Sequence, residues 1–112
     1  MRRIYVDFSV FTPKRAEGFV HGILELPQVP REGEALSFET PRANTPPPAV
    51  AGFAPRLVVE HVLTDKGCGP EDVALSLADV NVETSPDAEQ IFAYFERGFG
   101  LDIDRHQGQR NA

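Results

Sequence analysis

Gly18-Phe-Val-His-Gly-Ile-Leu-Glu-Leu-Pro-Gln-Val-Pro-Arg-Glu-Gly-Glu-Ala-Leu-Ser-Phe38 is the stretch that decides the fold. A β-rich run climbs to Leu26. Pro27 and Pro30 then withhold two backbone donors, so the strand must stop or bend there. Arg31-Glu32-Gly33-Glu34 supplies a turn, with a glycine free to take positive φ. Alternation resumes from Ala35, with Leu36 and Phe38 on one face. This is a strand–corner–strand unit of the kind that builds small curled sheets and barrels.

Working outward, residues 3–11 alternate strictly. Ile4, Val6, Phe8 and Val10 share one face, and Tyr5, Asp7, Ser9 and Phe11 the other. That period of two marks a half-buried strand. In residues 19–26 Val20, Gly22, Leu24 and Leu26 share a side, and Phe19 and Ile23 are apolar on the other, which predicts a central strand. Gly22 marks a bend or a close approach. The segment from Thr40 to Pro55 is irregular and proline-rich, and Pro46-Pro47-Pro48 is stiff polyproline. Residues 56–64 are rich in β-branched side chains and predict another strand. Their parity puts Leu57, Val59, His61 and Leu63 on one face.

In residues 73–83 the phase changes between Leu77 and Val80. One extra residue near Ala78-Asp79 restores the facing, as a β-bulge does. The one convincing helix follows. Ser85 is read as its N-cap and Pro86 as its first residue. Ala88, Ile91, Phe92, Phe95 and Phe99 recur at helical spacing, and Gly98 or Gly100 can end it in the left-handed conformation.

The expected molecule is mainly β with one C-terminal helix: a single domain over 1–103 with the helix at 86–98, and a flexible polar tail over 104–112. Hairpin-like connections predict a small antiparallel SH3-like barrel or a curled five-stranded sheet. The segment from Leu26 to Leu36 resembles the strand-and-corner pattern of short, uncharacterised bacterial small β-barrel proteins of the SH3-like kind. That resemblance implies a fold and assigns no catalytic residue.

Composition narrows the function classes. The chain has 112 residues, 41% hydrophobic, with a net charge of −6. An acidic surface gains nothing from neutralising phosphates, which argues against nucleic acid as a partner. No run approaches the ~20 apolar residues of a membrane-spanning helix, and no signal-peptide core is visible. Cys68 is the single cysteine, so no intrachain disulfide can form. A cytoplasmic location is expected.

The candidate chemistry is sparse. His21 and His61 are the first suspects for a metal, with Glu25 and Glu60 near them in sequence. Their separation matches no close-spaced ligand motif, so neither a metal nor another cofactor is expected. Lys66 and two glycines flank Cys68, but no base adjoins it in sequence. The reading is a non-enzymatic binding or assembly module acting on a protein partner or on itself. The alternative is a small enzyme or ligand-binding domain with a pocket between sheet and helix, lined by His21, His61 and Tyr94. For self-association, the first strand is expected to offer a free edge and the side chains of Tyr5 and Phe11, with Phe99 adding to the interface of a homodimer.

Overall fold

The structure is a computed structural model that describes residues 2–42, 45–64 and 73–105. The N-terminal alternation forms strand β1, Arg2–Phe11, in which Ile4, Val6, Phe8 and Val10 are buried. A tight turn, closed by the Thr12 N–H on the Arg15 carbonyl at 2.9 Å, leads into β2, Ala16–Leu26. The two strands pair antiparallel along their whole length. Next come β3, Ala35–Ser37; β4, Arg56–Leu63; β5, Ala74–Leu77; β6, Val80–Asn81; and, at the C-terminal end, β7, Asp102–Arg105. The order across the sheet is β3-β4-β5-β1-β2-β7, with β6 also beside β1.

This seven-stranded sheet is mixed and open. Its outer strands β3 and β7 lie at opposite ends and do not pair, so the expected barrel is not formed. It is not wholly antiparallel either, because β5 and β6 both run parallel to β1. The hairpin to β2 uses only one edge of β1. The other edge is taken by strands from the last third of the chain. β1 is therefore interior, which removes the free edge expected of it.

The ladder is interrupted where the phase of the sequence changes. Asp7 faces Ser76 and Val10 faces Val80, so the later strand carries one extra residue at Ala78-Asp79, as expected. Asp79 repairs the gap, its Oδ1 accepting the Ser9 N–H at 3.2 Å. A second irregularity was not anticipated. Val59 faces Leu77 but His61 faces Ser76, so Glu60 is an extra residue in β4 and the facing of His61 and Leu63 is reversed. A third lies in β2, where Val10 faces Gly18 and Phe11 faces Ala16. The extra residue there is Glu17, only 8% exposed. Its Oε2 accepts from Ser85 Oγ at 2.9 Å, Thr12 Oγ1 at 3.0 Å and Arg15 Nε at 3.2 Å.

Helix α1 spans Ser85–Phe99. Thr84 is its N-cap, one residue before the position read from the sequence, and its hydroxyl accepts the Asp87 N–H at 3.2 Å. Ser85 is thereby free to bind Glu17. Gly100, at φ 70°, closes the helix in the left-handed conformation that glycine adopts without a Cβ clash. The helix lies on the sheet face carrying Ile4, Val6 and Phe8. Phe95 meets both Phe8 and Phe38 edge-on at 4.9 Å. Gly18 allows Phe92 to sit close, since a Cβ there would come 2.6 Å from the ring. Gly22 likewise lies against Leu101.

The proline-rich segment packs along the helix, anchored by the Ala49 N–H on Gln90 Oε1 at 3.0 Å and the Arg42 N–H on the Gly98 carbonyl at 2.7 Å, with Val50 and Phe53 reaching the core. Asp104 and Arg105, read as the start of a tail, belong to β7, which is tied to the helix by Arg105 Nε 3.0 Å from both carboxylate oxygens of Glu89. The rest of that segment, residues 106–112, and residues 65–72 with Cys68 lie outside the described residues. Among the described residues no helix is long and apolar enough to cross a membrane.

Candidate functional site on the open face of the sheet

Helix and proline-rich segment together cover one face of the sheet. Among the described residues, no element lies over the other. The registers arrange that open face in transverse rows. Leu63, Ala74, Tyr5 and Ile23 form one. His61, Ser76, Asp7, His21 and Asp102 form the next, across β4, β5, β1, β2 and β7. Ser9, Phe19 and Asp104 form a third. Tyr5, Asp7, Phe19, His21 and Ile23 are half-buried by one another, while Leu63 is 53% exposed.

His21 is the centre of this surface. Its Nε2 lies 3.1 Å from Asp104 Oδ2. Its ring stacks on Phe19 at 5.4 Å and tilts against Tyr5 at 6.4 Å. Partial burial, then the charge and hydrogen bond of Asp7, then the Asp104 charge, push the Tyr5 phenol above its ordinary pKa. Partial burial also pushes the Asp7 carboxyl up, aided by Asp79 and opposed by the Tyr5 hydrogen bond and by His21.

The trio His21, His61 and Tyr94 is not brought together. His21 and His61 share a face and a row, but they stand three strands apart in the sheet order. At about 4.8 Å per strand that is roughly 14 Å, too far for one ion, whose imidazole ligands sit at about 2.0–2.1 Å. Among the described residues no group of three or more His, Cys, Asp and Glu side chains is placed to hold a metal. Tyr94 lies on the opposite side of the sheet. It is 4% exposed and its hydroxyl donates to the Phe38 carbonyl. Burial, then the Glu39 charge, raises its pKa. The space between sheet and helix where a pocket was expected is filled by the rings of Phe8, Phe38 and Phe95.

The interface residues also divide. Tyr5 and Phe11 are half-buried on the open-face side of β1, whereas Phe99 packs under the helix against Phe38 at 5.0 Å and Tyr94 at 5.5 Å. Sequence reasoning missed Asp7, Phe19 and Asp104 as members of the site. The available signals were an aspartate inside an apolar alternation, and the Phe19-x-His21 spacing that puts both rings on one strand face. Chemically, the arrangement offers aromatic faces beside carboxylates, which suits a cationic or amphipathic group. Comparison of the chain with protein-family models, with curated proteins and with solved structures found no match.

Proposed function

We propose that this chain is a non-enzymatic binding module whose recognition surface is the open face of the sheet. The observation that carries the reading is the half-buried cluster of Tyr5, Asp7, Phe19 and His21, with the exposed Asp104 on His21, on a face left uncovered among the described residues, while the opposite face is filled by the helix. Large rings held by their neighbours present contact area at little further cost in side-chain entropy. A photo-crosslinking residue at Ile23, beside Tyr5 on that face, tests the reading in cells of the source organism. A discrete crosslinked product is expected from position 23 and not from Arg97 on the helix. No product from either position, or the same products from both, overturns it.

A further inference from the structure

The charge on the open face specifies its partner more narrowly. Asp7, Asp102 and Asp104 lie in adjoining rows, and Asp79 is close enough to Asp7 to raise its pKa. Apart from the two histidines, the rows through Tyr5, Asp7 and Ser9 contain no lysine or arginine among the described residues. Arg3 stands at one end of the face, opposite Glu25. The carboxylates are interleaved with apolar side chains along the strand direction: Tyr5 and Ile23 come first, then Asp7 and His21, then Phe19. Alternate residues on one strand face are about 6.6 Å apart, the same spacing at which any extended polypeptide presents its own alternate side chains.

Resting on the binding-module reading, we infer that the partner is a basic segment of another protein, with arginine or lysine alternating with apolar side chains. The cation sits against Asp7 and Asp104 beside the Phe19 and Tyr5 rings. Its apolar neighbours cover the row of Ile23, Ala74 and Leu63. Such a cation meets both carboxylate charge and aromatic faces. It also relieves a half-buried Asp7, for which burial and Asp79 disfavour the charged form. A second copy of this chain stacked on the same face is disfavoured, because it sets aspartates against aspartates. Nucleic acid brings further negative charge.

The test uses the full chain, isotope-labelled, with three nine-residue peptides that alternate leucine with arginine, glutamine or glutamate. The arginine peptide is expected to shift the resonances of Tyr5, Phe19, His21 and Ile23, leaving those of Phe92 and Phe95 unmoved. Its binding is expected to weaken about tenfold in the Asp7→Asn/Asp104→Asn variant and severalfold as salt is raised. If the glutamate or glutamine peptide binds the same face equally well, the basic-partner inference falls and the recognition surface stands. If the arginine peptide shifts nothing there, or shifts the helix side, the inference also falls. The crosslink at position 23 then reports separately on the surface. Open-face shifts that depend on protein concentration without any peptide identify a second copy as the occupant and overturn the inference. The peptide comparison on the unaltered chain stands even if the double variant does not fold.

Discussion

Glu17 is the most exposed weakness of this fold, although it is itself almost wholly buried. One carboxylate oxygen receives three donors, from Thr12 and Arg15 in the first turn and Ser85 at the start of the helix. It thus ties the β1–β2 hairpin to α1. Hydrogen bonds to a charged group are worth about 1.5–3 kcal/mol each. Three that share one oxygen do not add, and Ser85 is exposed while the Arg15 side chain is 51% exposed, so both can turn to water. The net loss on Glu17→Gln is about 2 kcal/mol. Burial alone raises the carboxyl pKa. The hydrogen bonds from Ser85, Thr12 and Arg15, together with the Arg15 charge, outweigh it and leave the folded value below the ordinary one. The stabilisation is therefore complete above the ordinary glutamate range and is lost as the pH falls through the lower folded value. Urea unfolding of both proteins at about pH 7, 5 and 3 reads this directly, with the gap closing toward zero at the acid end. A gap that keeps its size at acid pH, or is under about 0.5 kcal/mol at neutral pH, refutes the assignment of Glu17 as a charged latch.

Phe95→Ala removes a ring that is 0% exposed and touches Phe8, Phe38, Phe53, Tyr94 and Phe99. The expected loss is about 3–5 kcal/mol, against about 2 kcal/mol for the half-buried Phe99→Ala, and denaturant titration of the pair checks the ranking. Asp7→Asn replaces a carboxylate whose charge is disfavoured by burial and by Asp79. It should raise the thermal midpoint at neutral pH, by less than about 1 kcal/mol in free energy. Because the folded pKa of Asp7 is raised, that advantage fades as the pH falls through it and the wild-type carboxyl becomes neutral.

Much of the local structure was legible because its causes are local. The alternation of β1, the glycine stop and aromatic stripe of α1 and the bulge at Ala78-Asp79 each follow from spacing within a few residues. What failed depends on distant partners. Nothing between Val73 and Leu77 says that this strand lies parallel to one almost seventy residues earlier, and assuming hairpins made the sheet antiparallel and nearly closed. The second half of β7, Asp104-Arg105, was read as tail because residues 104–112 are polar and unpatterned; its place is set by pairing with β2 and by the Arg105–Glu89 contact. The facing of His61 was misread for want of the bulge at Glu60. A histidine in phase with Leu57 and Val59 was the available warning. Site membership suffered most, since Asp7, His21 and Asp104 meet only once three strands are in register.

The parallel placement of β5 and β6 beside β1 also sets an order of events during synthesis. The N-terminal hairpin leaves the ribosome early with every local contact it needs. Yet one edge of β1, and the oily row of Ile4, Val6, Phe8 and Val10, wait for residues 74–99 to emerge. Until then the nascent chain displays a half-built sheet, open to stray strands from neighbouring polypeptides. A chain released before the helix has been made is therefore not a smaller version of this domain. It is a sticky fragment, and cells that make this protein must either finish it quickly or shield it meanwhile.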